Sequence, residues 1–313
     1  MNKTPRVTVA VATYNRAHLL DGLIENIFNQ TFSDFEIVIV NDGSIDETAV
    51  VLEQYTDHDQ IRIHHHDENQ GVGAAKDTAA SLAKGQYVAF LDDDDRWHPT
   101  KLEKQISRFE SLSDEYAVVQ TKMKNIQDGE TVEISQISQT EWIYPEILIK
   151  CMISFSTVMI RRECLEVVGG FDPSFPRVVD WDLWIRVAKH YKFAGIDDIL
   201  TRRYRQDDSI TTDLTHGIEG RQLIWEKYQE DFQKHPKYAD EFKAIWEPKK
   251  GFYQLRQGDR RRALRHFWNL LRIEGVSMRN LGWFMLAISG RPGYNLAKSL
   301  ISELNKWSKE AIN

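Results

Sequence analysis

The sequence of 313 residues has only two cysteines, Cys151 and Cys164, and no long apolar run. Two cysteines cannot build a disulfide framework or a cysteine zinc cluster, and they are compatible with a reducing compartment. Because no stretch of about 18 apolar residues occurs, we expect no membrane-spanning segment. The first apolar run has only about six residues, which is typical of a strand and too short for a signal peptide.

Acidic residues are scarce at one end of the chain. Between Lys249 and Asn313 the sequence has 13 basic and 4 acidic residues, whereas the rest has 27 basic and 43 acidic residues. Hydrophobic residues make up 42% of the chain and charged residues 28%, which excludes a wholly disordered protein. An acidic body with a basic tail predicts two regions with different partners.

Short β-branched runs alternate with segments of helical spacing over the first 120 residues. This alternation predicts an α/β fold with a mostly parallel sheet and right-handed crossovers. From about Leu214 onward the pattern is helical. We therefore predict two domains, an α/β domain over residues 1–213 and a basic, all-helical region over 214–313. The predicted strands of the first domain are Val7–Ala12, Glu36–Asn41, Ile61–His65 and Tyr87–Leu91.

Polar and acidic residues follow the predicted strands, where ligands of parallel sheets bind. Thr13–Arg16 follow the first strand, Asp42 the second and Asp92–Asp95 the fourth. Four adjacent carboxylates repel one another unless a cation neutralises them, and Mg²⁺ or Mn²⁺ suits such oxygen ligands. The alternative for Asp92–Asp95 is a solvated acidic turn. For Asp42 the alternatives are an Asx-turn and a contact to a nucleobase edge.

Asp180 opens a predicted amphipathic helix and shares a helix face with Trp184. A carboxylate beside large aromatic side chains suits a general base. The alternative is an acid at a helix N-terminus next to core tryptophans. The run His64–His66 is predicted to be a strand edge and no metal site, because adjacent strand residues point to opposite faces. Asn69–Lys76 opens a helix but lacks the GK[ST] ending of a P-loop.

Six motifs in this order resemble glycosyltransferase family 2, over about residues 6–210. They are Thr13–Arg16, Asn41–Ser44, Asn69-x-Gly71, Gly85–Asp95, Gly170–Asp172 and Asp180–Trp184. The resemblance implies a GT-A fold and an inverting glycosyltransferase that uses a nucleotide-sugar donor. Two positions depart from the family pattern: Val179 replaces the glutamate that often precedes the base, and Lys76-Asp77 replaces Arg-Asn.

The resemblance also implies roles for individual residues. Thr13, Tyr14 and Arg16 border the nucleotide, and Asp42 contacts the base. Asp92, Asp93 and Asp94 form the Asp-x-Asp region: Asp92 and Asp93 contact the donor, and Asp94, with Asp92, holds Mn²⁺ or Mg²⁺. Asp180 is the general base. The segment Tyr204–Ser209 lies where the family often has a loop that closes over the donor.

These implications predict transfer from a nucleotide sugar, with UDP favoured, to a carbohydrate or lipid-linked acceptor in polysaccharide or glycoconjugate assembly. A nucleotidyltransferase and an inactive binding module remain open alternatives. The aromatic and arginine residues of the basic tail either pack as a helical domain or contact an anionic membrane surface. We expect no nucleic-acid partner and a cytoplasmic protein, with peripheral contact at the inner face of the cell membrane as an option.

Overall fold

The computed structural model describes residues 4–127, 129–135, 141–175, 177–204, 214–290 and 292. The chain divides into two compact units, 1–209 and 210–313, which we call the sheet unit and the helical unit. The predicted domain boundary at residue 213 lies outside the described residues and stays a prediction.

Four parallel strands form the first half of the sheet, in the order β3-β2-β1-β4. β1 and β2 are buried along nearly their whole length, which explains their almost continuous apolar sequence. Thr13 pairs with Asn41 and Ala12 pairs with Asp92, so β1, β2 and β4 end at one level. These strands are β1 (Val7–Thr13), β2 (Phe35–Asn41), β3 (Ile61–His65) and β4 (Tyr87–Asp92).

The second half of the sheet is mixed and continues from β4 in the order β8-β6-β9-β5, with β7 paired to β6. Only β6 and β9 run parallel; the β4–β8, β8–β6, β6–β7 and β9–β5 pairs are antiparallel. The β-branched patterns predict strands at Val118–Lys122 and Ser156–Ile160, which overlap β6 and β8. β5, β7 and β9 were not predicted, since their pairing partners are not evident from local sequence. These strands are β5 (Asp95–Trp97), β6 (Tyr116–Gln127), β7 (Glu130–Ile134), β8 (Val158–Arg161) and β9 (Lys192–Tyr204).

Helices cover both faces of the sheet. On one face, Val9 and Ile39 belong to a core shared with Leu23 and Ile106 of two flanking helices. On the other face, Phe90 packs against Phe155, Phe171 and Trp184. The predicted α/β fold is therefore confirmed. The helices of this unit are α1 (Ala17–Phe28), α2 (Thr48–Glu53), α3 (Val72–Ser81), α4 (Lys101–Glu110), α5 (Arg162–Val168) and α6 (Val179–Ala188).

The helical unit has its own core, in which Phe267 is fully buried and packs with Phe252. Trp283 and Phe284 pack against the same core, as the packing interpretation of the tail predicted. Asp259 caps the helix after the Gly258 turn by accepting from Arg262 N at 3.0 Å. Its described helices are α7 (Leu214–Lys227), α8 (Gln229–Lys234), α9 (Pro236–Gln257), α10 (Arg260–Glu274) and α11 (Met278–Ser289).

Among the described residues, no helix combines the length and the apolar character that crossing a bilayer requires.

Candidate functional site

The predicted site residues of β1 and β4 meet at the level edge of the sheet. Thr13 ends β1 and is 3% exposed. Its Oγ1 donates a hydrogen bond to Asp93 Oδ2 at 2.7 Å. Asp92 ends β4, and its amide donates to Ser156 Oγ at 3.0 Å. The parallel register therefore brings Thr13 and the Asp92–Asp94 carboxylates together, as the strand-end pattern predicted.

Negative charge at this edge is only partly neutralised. The pKa of Asp93 is raised to about 6, chiefly by burial and also by the charges of Asp94 and Asp92, although the Thr13 hydrogen bond opposes the shift. Burial and the Asp92 charge also raise the pKa of Asp94, although the Arg203 and Arg16 guanidinium groups oppose this shift. A doubly charged cation would favour the ionised form of both carboxyls.

Two cationic side chains, Lys76 and Arg203, lie against these carboxylates, and neither was among the predicted site residues. Lys76 Nζ is 3.0 Å from Asp92 Oδ1 and 3.3 Å from the centroid of the Phe155 ring. Arg203 lies opposite Asp95 in the β5–β9 pair, with its Nε 3.4 Å from Asp95 Oδ1 and its Nη2 3.9 Å from Asp92 Oδ2. Asp92 is thus shared between two cationic side chains.

Asp95 differs from its three neighbours because it belongs to the core. It starts β5, and none of its surface is exposed. Burial raises its pKa, and the Arg203 guanidinium opposes that rise. Asp95 therefore pairs with Arg203 inside the protein, whereas Asp92–Asp94 are only half-buried.

The Asp42 carboxylate is hydrogen-bonded by other residues of the protein. His66 Nδ1 lies 2.7 Å from Asp42 Oδ1, which also accepts from Gln70 N at 3.0 Å, and Gly71 N donates to Oδ2 at 2.9 Å. His66 Nε2 in turn lies 3.0 Å from Thr78 Oγ1. The amides that open α3 therefore bind a carboxylate of the protein. His66 was not among the predicted site residues, because a run of three histidines gives no sign of which one is buried; in the structure, His64 and His65 are exposed and His66 is buried.

The segment after β1 is held in a fixed turn. Asn15 has a φ of 54°, its amide donates to Ser44 Oγ at 2.9 Å, and its Oδ1 accepts from Ile45 N at 2.8 Å. Tyr14 is 41% exposed beside this turn. Arg16, whose amide donates to Thr48 Oγ1, is close enough to lower the pKa of Asp93 and Asp94. Tyr14 and Arg16 therefore lie at the strand-end edge, as predicted.

Asp180 occupies the second position of α6 and is half-buried. The preceding Val179 packs on α3, since a Cβ at Gly73 would lie 2.9 Å from Val179 Cγ1. Trp181 Nε1 donates to Ile147 O at 2.7 Å, and Trp184 is fully buried. The two tryptophans thus belong to the core and fix the helix, while Asp180 is placed next to the helix that carries Lys76.

The carboxylates fit a divalent cation that has few protein ligands. Among the described residues, no three histidine, cysteine or acidic side chains are grouped as a metal site. Mg²⁺ and Mn²⁺ commonly take one or two carboxylates and complete their shell with phosphate oxygens and water. Asp94 and Asp92 supply that number of hard oxygen ligands, so the donor set suits an ion bound together with a diphosphate.

Comparisons with known proteins identify the family to which the chain belongs. The sequence profile described as glycosyl transferase family 2 matches residues 8–166. A teichuronic acid biosynthesis glycosyltransferase of Bacillus subtilis, TuaG, is 34% identical over 213 residues, covering 67% of this chain and 83% of TuaG. A chondroitin synthase of Escherichia coli is 31% identical over 205 residues, covering 65% of this chain. The chain spans 29% of that synthase and 21% of a Pasteurella multocida hyaluronan synthase.

Solved structures share the fold at low sequence identity. S. aureus TarS residues 1–349 in complex with UDP-GlcNAc has a TM-score of 0.66 at 17% identity, covering 92% of this chain and 88% of TarS 1–349. The mannosyltransferase PcManGT from Pyrobaculum calidifontis, in complex with GDP-Man and Mn²⁺, has a TM-score of 0.53 at 17% identity, covering 100% of this chain and 82% of PcManGT. These likenesses show the GT-A fold. The expected loop after Tyr204 lies outside the described residues.

Proposed function

The chain belongs to glycosyl transferase family 2 and is a glycosyltransferase; from this premise we propose that it moves a sugar from a nucleoside-diphosphate donor to an acceptor hydroxyl with inversion. One observation carries the proposal: Thr13 and the Asp92–Asp94 carboxylates converge at the carboxyl ends of β1 and β4, where Thr13 bonds Asp93. Ligands of open α/β sheets bind at this edge.

The chain's own residues would bind the nucleotide. Tyr14, exposed beside a fixed turn, offers an aromatic face, and Arg16 offers positive charge to the diphosphate. Asp93 and Thr13 would hydrogen-bond the nucleoside. Asp42 is assigned to the base, but its carboxylate already has three donors of the protein. A base contact there therefore uses the remaining acceptor capacity of a carboxylate that His66 keeps oriented.

Asp94 and Asp92 would hold Mn²⁺ or Mg²⁺. When bound, the ion neutralises negative charge on the departing diphosphate and orients the donor. For Asp92 to take part, the positive charges of Lys76 and Arg203 have to be redistributed, because both now face it. Lys76 then becomes available to a phosphate oxygen.

Asp180 is the proposed general base. Its position at the start of α6, half-buried and next to a residue that packs on α3, allows it to accept the proton of the attacking hydroxyl. Direct attack on the anomeric carbon, from the side opposite the leaving diphosphate, inverts that centre in one displacement. Trp181 and Trp184 keep the helix, and hence the carboxylate, in place.

The comparisons favour a UDP-sugar donor and an acceptor in polysaccharide or lipid-linked glycan assembly. TarS 1–349 was crystallised with UDP-GlcNAc. An Escherichia coli relative, 28% identical over 206 residues, is named as a UDP-Glc-dependent glucosyltransferase acting on a diphosphoundecaprenol-linked sugar. The relatives described above are named for teichuronic acid and chondroitin synthesis. We extend this donor and these acceptor classes to the chain as part of the proposal.

Peripheral contact with an anionic membrane, at the inner face of the cell membrane, belongs to the same proposal. Met278, Leu281, Met285 and Ile288 recur along one face of α11 and are exposed. Apolar side chains in such a row can enter the headgroup region while nearby arginines attract anionic lipid. Flotation with phosphatidylglycerol vesicles should carry the full chain and not a chain ending at residue 213. Absence of the full chain from the vesicles contradicts this part.

The donor is tested directly by a thermal-shift screen of UDP-, GDP- and dTDP-sugars with and without Mn²⁺. We expect a UDP-sugar to raise the melting temperature most, and only with the metal present. A ligand that binds the native state and not the unfolded state stabilises the native state. A screen in which no nucleotide sugar shifts the transition contradicts the proposed function.

A further inference from the structure

The helical unit contains a cleft that the proposed reaction does not use. It has a volume of about 420 Å³ and lies between α7, α9 and α10. This volume falls in the range of small-ligand sites, which is about 300–1,000 Å³. Its walls combine basic, aromatic and amide side chains: Arg221, Gln222, Trp225, Phe242, Lys243, Trp246, Glu247, Lys250, Asn269 and Arg272 line it, with two isoleucines, Ile218 and Ile273.

Positive charge dominates the cleft. Of the residues that the structure describes, four basic ones line it, against the single acid Glu247. Lys249 lies beside them, with Nζ 4.1 Å from the centroid of the Trp246 ring. Burial lowers the pKa of Lys249, and the charge of Arg221 lowers it further. These cations repel one another, and a bound anion would relieve that repulsion.

Glu247 gives the cleft a fixed shape. It is 5% exposed, and its Oε2 accepts from Asn269 Nδ2 at 3.2 Å and lies 2.9 Å from His266 Nδ1. Lys250 forms an ion pair with the same carboxylate. Among the described residues, Glu247 is the only acid that lines the cleft, and its carboxylate is engaged by side chains of α9 and α10. Lys243 Nζ also lies 3.9 Å from Oδ1 of the exposed Asp240, one turn away on α9.

Aromatic rings form the floor. Trp225 stacks on Phe232 at 4.6 Å and lies 5.7 Å from Phe242. Because the Phe232 and Phe242 centroids are only 5.0 Å apart, both rings lie on the same side of the indole. The opposite face of Trp225 is left uncovered by these two rings, and Lys243 Nζ is 4.9 Å from its centroid. An aromatic face beside a cation suits a ligand that is both apolar and anionic.

We propose that this cleft binds an acidic oligosaccharide, whose carboxylate or phosphate groups pair with Lys243, Arg221 and Arg272 while a sugar ring lies on Trp225. A sugar offers an apolar C–H face and hydroxyl groups. The amide nitrogens of Gln222 and Asn269 each donate to a glutamate of the protein, and their carbonyl oxygens can accept from the hydroxyls. A bilayer is a poorer match, because Phe242 and Trp246 are only 4% and 6% exposed at the floor of a concave site and cannot enter lipid.

An acidic oligosaccharide bound in the cleft would be an acceptor of the transfer reaction, and this identification rests on the proposed function. Binding at the cleft is measured without a donor or turnover. If no oligosaccharide binds the cleft, the result of the nucleotide-sugar screen is unaffected. If no nucleotide sugar shifts the melting temperature, the result for oligosaccharide binding still holds.

The test uses calorimetric titration of the full chain with hexagalacturonate, with a phosphorylated maltohexaose and with neutral maltohexaose. The variant Lys243→Gln/Arg272→Gln removes two cleft charges from half-buried and exposed positions. The control, Arg256→Gln/Arg261→Gln, removes the same charge from exposed positions of the unit that do not line the cleft. We expect an acidic probe to bind the wild type, the cleft variant to bind it about tenfold more weakly, and the control to stay within about twofold.

Three results overturn the proposal. The first is that neither acidic probe binds the wild type. The second is that the control loses as much affinity as the cleft variant, which indicates general attraction to a basic surface. The third is that phosphatidylglycerol vesicles bind through Lys243 and Arg272 while the acidic oligosaccharides do not depend on them, which assigns the cleft to lipid.

Discussion

The sheet unit and the helical unit place their charged side chains in different surroundings. In the sheet unit, Asp42 and Asp95 are 3% and 0% exposed, and both are held by donors or cations of the protein. In the helical unit, arginines such as Arg256 and Arg265 are exposed on the surface. Burial fixes a charged group in one position, which chemistry at a reacting bond requires. Exposed charge of one sign attracts polyanions over a distance, without fixing the reacting atoms.

Asp180→Asn, in the sheet unit, is expected to have the largest effect, which is on the rate of sugar transfer. Loss of the general base lowers the transfer rate by about 10²–10⁴-fold, since the amide cannot accept the proton of the acceptor hydroxyl. Initial rates and calorimetric donor titration should show lost transfer with donor affinity retained. Asp182→Asn is a poor control because Asp182 bonds Arg186; the exposed Asp114→Asn serves better. Equal rates in Asp180→Asn and wild type contradict the assignment.

Phe267→Ala tests whether the helical unit depends on its own core. Phe267 is fully buried, and a Cβ at Gly251 would lie 2.7 Å from its ring. Removal of the ring leaves a cavity that costs about 3–5 kcal/mol of unfolding free energy. Amide hydrogen exchange should show lost protection in α9 and α10. The adjacent Trp268, which is 53% exposed, is the matched control: Trp268→Ala should change protection little, and a reversed order contradicts the core described.

Acid should weaken the helical unit through Glu247. Burial alone raises the pKa of Glu247, but hydrogen bonds from His266 and Lys250 outweigh burial and lower it from 4.5 to about 2. The unfolded state therefore binds the proton first, and the stabilisation is complete above about pH 4.5 and lost as pH falls toward 2, with an upper limit of about 3 kcal/mol.

Urea unfolding followed by far-UV circular dichroism at pH 6 and pH 3 measures this contribution. Glu247→Gln should show a smaller acid loss than wild type, and the exposed Glu241→Gln should show the same loss as wild type. An identical pH dependence in Glu247→Gln and wild type contradicts the role of the buried carboxylate.

The smallest effect concerns a single hydroxyl of the sheet unit. Thr13→Val removes the donor to Asp93 and leaves the volume of the side chain nearly unchanged. A hydrogen bond to a charged group contributes about 1.5–3 kcal/mol, and because this bond lies within the protein we expect its lower limit, a fall in donor affinity of about tenfold. Thr31→Val removes a hydroxyl–carboxylate bond of the same length, 2.7 Å to Glu103, outside the site. Equal donor affinity in Thr13→Val and Thr31→Val contradicts a role of Thr13 at the edge.

Much of the sheet unit could be predicted because its information is local. β1, β2 and β4 are continuous apolar runs, so their ends, and hence Thr13 and Asp92–Asp94, were located from the sequence. The parallel register then brings those ends together without any further knowledge. The confirmed family resemblance depends on these same positions.

The remaining features depend on pairing between distant segments. Arg203 reaches the acidic edge only because β9 pairs antiparallel with β5, more than a hundred residues earlier in the chain. Lys76 reaches Asp92 because α3 packs beside β1, and His66 reaches Asp42 across the β2–β3 pair. The cleft of the helical unit was missed because its residues come from three helices. Sequence periodicity gives the inward face of each helix and does not say which faces meet.

Calorimetric titration of the nucleotide sugar selected by the screen, with and without Mn²⁺, tests the central claim most directly. In the wild type, Mn²⁺ should strengthen donor binding by several kcal/mol, about 100-fold or more, because the acidic edge binds the ion together with the diphosphate. Asp94→Ala should abolish this dependence, whereas Asp114→Ala, at an exposed carboxylate, should retain it. The same Mn²⁺ dependence in Asp94→Ala and wild type would contradict the account.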